Sequence, residues 1–438
     1  MNNGISKVDE WIIPLYKVYT DDEDLQLISK VIHRGTQWAL GPEVEEFEKE
    51  IASYVNSDYC ITLNSGTSAL HAAYLAYGIG ASDEILIPSF SFISTANSVL
   101  FVNAKPIFCD IEESTLGLDY NLLAKNITSK TKAIVPMDYG GLPCNILKIK
   151  EIAEKNNLLL IEDAAESLGS SIDGKKIGSI SDSSIFSFCG NKVLTTGEGG
   201  AITTNSKSIF EKLKQIRSHG RSGSKNYFEN PDESTYLNIG YNWRMSSITA
   251  ALGLTQLKKL DKLISLRQEN AKSIINKISK FDLKIITAPP GSDHIFQMFS
   301  IRLKNKKIRD KLHDFLIKKR IFSKIYFSPI HLNSFYMKKF NTQNGMLPIT
   351  ELVSTQILTI PIYPNMTNEE IAGIYAHPKI KCIMSATRGE GYGLPLIEAA
   401  ASGIPVVATD WSGHLDFLKN NFVSVKYQLK EIPESRVH

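Results

Sequence analysis

An α/β chain with a mostly parallel sheet, then a smaller α+β domain and a short βαβ-like tail, is the fold class that three features of the sequence predict. Short β-rich runs alternate with helical segments between residues 59 and 204, the pattern of parallel strands joined by crossover helices. Between residues 280 and 375 the order changes to strand-like "HIFQMFSIRL", a basic helix "KKIRDKLHDFLIKKR", strand-like "FSKIYF" and a helix "ITELVSTQIL". After Ile374 a new strand, glycine loop, helix and strand begin in "KIKCIMSATRGEGYGLPLIEAAASGIPVV". The expected domains are 1–265, with its first residues packing on the second domain, then 266–375 and 376–438.

Each element has its own signal. "DEDLQLISKVIHRG" and "PEVEEFEKEIASYV" carry apolar residues at helical spacing, and Pro42 suits a first helical turn. The runs "YCITL" (59–63), "EILIP" (84–88), "KPIFC" (105–109), "KAIVP" (132–136), "LLLIED" (158–163), "SIFSF" (184–188) and "GAITT" (200–204) read as strands. From Ser246 a long helix, "ITAALGLTQLKKLDKLISLRQENAKSII", carries the chain out of the large domain.

The bulk numbers narrow the function class. The chain has 438 residues, 43% hydrophobic and 22% charged, as a soluble globular protein has. A formal net charge of +3 gives no electrostatic case for nucleic acid or an anionic membrane. Five scattered cysteines without a C-x-x-C pair read as small buried hydrophobes in a reducing cytoplasm, with neither a disulfide framework nor a metal site. There is no signal-peptide pattern at the N-terminus and no apolar run near the ~20 residues that cross a bilayer. A cytoplasmic protein is expected.

Three places carry chemistry. In "NSGTSALHAAYLA" a strand ends and Ser65, Gly66, Thr67 and Ser68 open a helix. Helix-start N–H groups and hydroxyls can cradle a phosphate, and the same residues also serve as a plain N-cap. In "LLLIEDAAESLG" Asp163 closes a buried strand, where ligands of open α/β sheets collect; a helix cap is the other reading. Lys192, in "IFSFCGNKVLTTGEGGAIT", lies between a strand and a glycine cluster. It is either a solvated loop residue or a desolvated amine able to form a Schiff base. A phosphate cradle, a carboxylate for a pyridine nitrogen and a lysine for an aldehyde are together what pyridoxal phosphate requires.

Residues 12–375 resemble the DegT/DnrJ/StrS family of nucleotide-sugar aminotransferases, with the aspartate-aminotransferase-like fold of pyridoxal-phosphate fold type I. The matching pieces run in order: "GPEVEEFE", "NSGTSAL", "IPSFSFISTANSV", "KPIFCDIEESTL", "IEDAAESLGS", "SFCGNKVLTTGEGGAITT", "GYNWRMSSITAALGLTQL" and "LPITELVSTQILTIPIYP". The resemblance implies that Lys192 bonds the cofactor and shuttles protons, and that Asp163 pairs with the pyridine nitrogen. It implies that Gly66, Thr67, Ser68 and Ser187 hold the phosphate and that Phe92 stacks on the ring. Asn242 resembles an asparagine that reaches the neighbouring subunit's cofactor, which implies a homodimer. Glu166 stands where many relatives have glutamine beside the phenolic oxygen; a carboxylate there is repelled by a phenolate unless protonated or turned aside. His219, Arg221 and His331 fall in regions that meet the nucleotide sugar. The implied reaction is amination of a nucleotide-linked keto sugar with glutamate as donor. Relatives with histidine in place of the lysine are sugar dehydratases, and Lys192 favours transamination.

The tail "TRGEGYGLPLIEAAASGIPVV", with Glu390 and Glu398, resembles the donor site of retaining GT-B glycosyltransferases. It is expected to be an incomplete Rossmann-like fragment without transferase activity, since so few residues bury too little surface to be stable alone.

Overall fold

The computed structural model describes residues 11–222, 235–375, 383–385, 406–409 and 423–425. The chain divides into two compact units, Met1–Lys272 with Phe281–Asn365, and Ser273–Lys280 with Met366–His438.

The first unit begins with helices α1 (Asp22–Arg34) and α2 (Pro42–Val55). Asp21 caps α1 in a reciprocal box with Asp24, and Pro42 occupies the first turn of α2. Then β1 (Tyr59–Leu63), α3 (Gly66–Ala76), β2 (Glu84–Pro88), α4 (Ser94–Phe101), β3 (Lys105–Cys109), the single turn α5 (Tyr120–Leu123), β4 (Thr131–Ile134), α6 (Ile146–Lys155) and β5 (Leu159–Asp163) follow. A small hairpin of β6 (Ser171–Ile172) and β7 (Lys175–Lys176) precedes β8 (Ser183–Ser187), β9 (Gly200–Thr204) and α7 (Lys207–Arg217). The sheet order is β1-β9-β8-β5-β4-β2-β3.

Consecutive strand residues feed opposite cores, Leu86, Leu160 and Phe186 into one and Ile85, Ile161 and Ile185 into the other. Burial on both faces is why these strands read as unbroken apolar runs. All pairings from β8 through β3 are parallel, while β9 runs antiparallel to both β8 and β1. The cause is the connection: only a loop joins β8 to β9, and without a crossover helix the chain returns beside the strand it left. That return loop contains Lys192.

A long helix, α8 (Ser247–Ile278), follows; its last turns belong to the second unit. Next come β10 (Leu283–Ile285), β11 (Ser292–Asp293), β12 (Phe299–Leu303), α9 (Lys306–Lys318), α10 (Ser334–Phe340), α11 (Pro348–Gln356) and β13 (Ile357–Ile360). β10, β12 and β13 form an antiparallel sheet, and β11 pairs with β6. The expected strand "FSKIYF" forms no ladder; within it Lys324 makes a single bridge to Thr359, and the preceding Ile321 makes one to Ile13. Arg267, buried on α8, donates from Nη1 to the carbonyls of Phe296 (3.0 Å) and Ile362 (3.2 Å), and burial lowers its pKa to about 10.

In the second unit, α12 (Asn368–Tyr375) is followed by β14 (Ile383–Ser385), β15 (Val406–Thr409) and β16 (Val423–Val425), paired in parallel in that order. Glu390 and Glu398 lie outside the described residues. No helix among the described residues is long and apolar enough to cross a membrane.

One face of β5 carries a buried carboxyl that the core must neutralise. Glu162 has no exposed surface; its Oε2 accepts from Ser184 Oγ (2.6 Å) and Ser181 Oγ (3.3 Å), while Oε1 has no partner among the described residues. Burial, reinforced by the nearby Asp138 carboxyl, pushes its pKa up to about 8. A carboxyl raised in this way stabilises the fold below its unfolded pKa and loses that contribution as pH climbs toward the folded value. Glu162→Gln is therefore expected to flatten the decline in stability from mildly acidic pH to pH 9 and to gain on the order of 1–3 kcal/mol over wild type at the alkaline end. Urea melts across that range read the difference, and an unchanged slope contradicts it.

Candidate active site

The carboxyl ends of β1, β8, β5 and β2 reach one edge of the large sheet, and there the chain opens a cleft of about 530 Å³. A cleft beyond parallel strand ends is where an open α/β sheet binds small molecules. Its floor is built from the three places that the sequence singles out.

The first is the start of α3. Ser65 caps the helix, its Oγ accepting from Ser68 N–H at 3.0 Å. As the first two residues of the helix, Gly66 and Thr67 have N–H groups with no intrahelical acceptor. Thr67 Oγ1 lies 3.0 Å from Ser94 Oγ, and Ser187, at the end of β8, sits so close to Gly66 that a Cβ there would come within 3.0 Å of it. Two free N–H groups and three hydroxyls meeting at a helix start form an anion cradle.

The second is Asp163. Its Oδ2 accepts from Thr95 Oγ1 at 2.7 Å, and Thr95 in turn meets Ser91 Oγ at 2.6 Å. Burial raises the pKa of Asp163, while the Thr95 hydroxyl, the Ala165 N–H and the Lys192 charge pull it back. Its other oxygen, Oδ1, accepts from the Ala165 N–H at 3.4 Å, and Asp163 lines the cleft, where a buried carboxylate calls for a cationic or N–H partner.

The third is Lys192. Its Nζ donates to Glu166 Oε1 at 3.1 Å, and the two side chains are only 13% and 9% exposed. Glu166 Oε2 accepts from the Gly140 N–H at 2.9 Å. The loop carrying Lys192 is gripped by a residue of the small-sheet region: Gln297 Oε1 accepts from Val193 N–H and Gln297 Nε2 donates to Asn191 O, each at 2.7 Å. Lys192 is thus a partly buried, paired amine aimed into a cleft, not a solvated loop residue.

The walls include Phe92, 59% exposed, with its ring 6.5 Å from that of Phe327. Tyr16, Asn191, Glu198, Lys324 and Tyr326 also face the cleft. Sequence reasoning missed all five, and it missed Gln297. For Tyr16, Lys324 and Tyr326 the neighbouring "WIIPLYK" and "FSKIYF" show mixed polar and apolar residues without a motif, and only the fold brings them to the strand ends, whereas Asn191 and Glu198 lie in the same quoted stretch as Lys192.

Other expected residues fall elsewhere. Ser68 turns its hydroxyl to Asn64 Oδ1 (2.7 Å) and Ser65 Oγ (2.8 Å), and it does not line the cleft. Asn242 and His219 are exposed and outside it. Arg221 bonds Ser218 Oγ at 3.1 Å and lines a different, larger groove. His331 has no exposed surface; Nδ1 meets Ser89 Oγ at 2.6 Å and Nε2 meets Glu351 Oε1 at 3.1 Å. With both ring nitrogens engaged inside the protein, it acts as a strut within its own chain.

The residues present fit pyridoxal phosphate. The cradle offers donors to a phosphate, Asp163 offers a buried acceptor to a ring N–H, Phe92 offers an exposed ring face, and Lys192 offers an amine.

Comparison with known proteins gives the same direction. Residues 18–377 match the family model described as the DegT/DnrJ/EryC1/StrS aminotransferase family, and residues 359–431 match that of glycosyl transferases group 1. The chain is 35% identical to the GDP-perosamine synthase of Caulobacter vibrioides, over 78% of this chain and 91% of that one. It is 32% identical to the GDP-perosamine synthase of Escherichia coli O157:H7, over 82% and 95% respectively. Among solved structures, Helicobacter pylori PseC, an aminotransferase involved in the biosynthesis of pseudoaminic acid, superposes with a TM-score of 0.78 at 28% identity, over 82% of this chain and 96% of that one.

The cradle itself can be tested. A Cβ on Gly200, in β9, would fall 2.5 Å from the Ser65 carbonyl and 2.7 Å from Gly66 N. Backbone cannot rotate out of the way, so Gly200→Ala is expected to cost about 1–3 kcal/mol, read by urea unfolding. A neutral result would mean that α3 is not seated as described.

Proposed function

The chain belongs to the DegT/DnrJ/EryC1/StrS aminotransferase family, and on that footing we propose that it aminates a nucleotide-linked keto sugar, using pyridoxal phosphate and glutamate, in amino-sugar or surface-polysaccharide biosynthesis. The observation that carries the reading is the meeting of Lys192, Asp163 and the first turn of α3 in one cleft. The sugar-nucleotide substrate is supported by the relatives, whose names are those of sugar aminotransferases.

Pyridoxal phosphate, when bound, supplies an aldehyde that takes up the amine and a ring that draws electrons from the carbon losing its proton. The chain's own groups do the rest. Gly66, Thr67 and Ser187 hold the phosphate at the positive end of α3. Asp163 would accept a hydrogen bond from the ring nitrogen, and its buried carboxylate charge would favour keeping a proton there. Phe92 covers the ring face. Lys192 would hold the cofactor through its Nζ and, when free, that amine would be the group that moves a proton between two carbons. Tyr16, Asn191, Lys324 and Tyr326 stand at the mouth, where a substrate's hydroxyls and phosphates meet the protein.

Asn242 serves the site of a second copy in a homodimer, a reading supported by its exposure and its place outside its own cleft. His219 and Arg221, on the adjoining segment, are the candidates to meet that copy's substrate. The protein works in the cytoplasm, in keeping with the free cysteines Cys60, Cys109, Cys144 and Cys189. We assign the amino transfer to domains 1–265 and 266–375, and no sugar transfer to 376–438.

Two experiments test this. Lys192→Ala should lose transamination of nucleotide keto sugars by at least about 10³-fold and should no longer retain cofactor after borohydride reduction; full activity in the variant refutes the mechanism. A chain ending near residue 375 should aminate at the full-length rate, whereas loss of amination in a folded truncation would show that the tail contributes.

A further inference from the structure

Glu166 is the feature that a simple reading of the site leaves unused. We propose that Glu166 is the proton acceptor for Lys192 during cofactor loading, so that the loaded enzyme holds Glu166 as a neutral carboxylic acid. This rests on the reading that the cofactor is an aldehyde bonded by Lys192.

The geometry leads there by charge counting. At the cleft floor the Lys192 ammonium faces two carboxyls, Glu166 at 3.1 Å and Asp163, close enough to feel both charges. The other groups near Glu166 bring no cation. The Gly140 N–H occupies its Oε2, and the Tyr139 hydroxyl is committed to the Tyr326 carbonyl at 2.8 Å and to Ser300 Oγ at 2.9 Å. Lys324, at the cleft mouth, is exposed and stacked over the Tyr326 ring. Lys192 is therefore the cation that Glu166 pairs with, and loading consumes it.

The step balances without any further reagent. A new C=N bond forms between Nζ and the aldehyde carbon. The C=O bond breaks, and its oxygen leaves as water with two of the three ammonium hydrogens. The third hydrogen leaves as a proton, the nitrogen ends neutral, and Glu166 Oε1 takes that proton. Without the transfer, Glu166 would remain an anion on a desolvated floor after its ammonium is gone, which the low local dielectric opposes, whereas Asp163 gains the ring N–H as its partner. The ring oxygen of pyridoxal phosphate sits on the carbon next to the one bearing the aldehyde. In the bound pose proposed, that anionic oxygen turns toward Glu166 as well. A protonated Oε1 donates a hydrogen bond to it, where a carboxylate would repel it. The Gly140 N–H keeps the carboxyl from turning aside.

The test is a proton count on binding. Cofactor-free protein is titrated with pyridoxal phosphate by calorimetry in two buffers of different ionisation enthalpy, for wild type and Glu166→Gln. The glutamine keeps the shape and can still accept from Gly140, but it cannot take a proton. The variant should release about one more proton per site than wild type. Wild-type affinity should stay nearly level with pH, while the affinity of the variant rises, up to about tenfold per unit. Equal proton counts overturn the proposal, as does wild type alone releasing a full proton. Failure of wild type to bind pyridoxal phosphate overturns the cofactor reading itself, a different result from binding with equal counts.

Discussion

A lysine ammonium inside a protein must be paired, and the Lys192–Glu166 contact meets that requirement at the point where the sheet ends. Much of the site is arranged around it. Glu166 lies three residues beyond Asp163, so the strand end that presents one carboxylate to the cleft also presents the partner for the amine. Lys192 comes from the loop between β8 and β9, and that loop crosses the strand ends because β9 returns antiparallel beside β8. A crossover helix here would carry the lysine away from the edge. The one antiparallel strand in a mostly parallel sheet is therefore a condition of the site.

The small-sheet region is part of the active site as well as a neighbour of it. Gln297 uses both ends of its amide to hold the backbone on either side of Lys192. Tyr139 reaches from the large sheet to the Tyr326 carbonyl and Ser300, joining the cleft wall to β12. Arg267 ties α8 to the same region through three carbonyls, a use of a guanidinium that needs no counter-ion but leaves it easier to deprotonate. These contacts couple the lysine's position to the packing of residues more than a hundred positions downstream, whose identities look unremarkable in isolation.

How legible this was differs by element, for physical reasons. The strands of the large sheet could be read closely because they are short, mostly buried β-rich runs set between helical segments; β1, β2, β3 and β9 have the bounds expected. "FSKIYF" has the same residue types, but it makes isolated bridges and not a ladder, and composition alone cannot show whether a partner strand is present. Lys192, Asp163 and the Gly66–Thr67 turn were legible because each sits at a strand or helix end, where side-chain type and local geometry go together. Gln297, Tyr16 and Lys324 were not, since their place depends on long-range packing. His331 is placed differently from the expectation. A histidine in a recognisable motif invites a substrate role, yet Ser89 and Glu351 enclose it completely. Ser68 is similar, a hydroxyl at a helix start that the chain spends on its own cap.

The overlap of the two family matches, at residues 359–377, can be apportioned by hydrogen bonding up to a point. Thr359 pairs with Ser300 in the β12–β13 ladder, bonds it side chain to side chain at 2.8 Å, and exchanges backbone hydrogen bonds with Lys324. A residue held from two sides in this way belongs to the aminotransferase body, whichever family model also covers it. Tyr363 and Pro364 are held in turn by Asn270 of α8 through their carbonyls, at 2.9 and 3.2 Å. From Met366 onward the chain belongs to the second unit, where the resemblance to a nucleotide-sugar site takes over and β14, β15 and β16 pair among themselves. A junction placed there leaves intact every contact described for the Lys192 cleft.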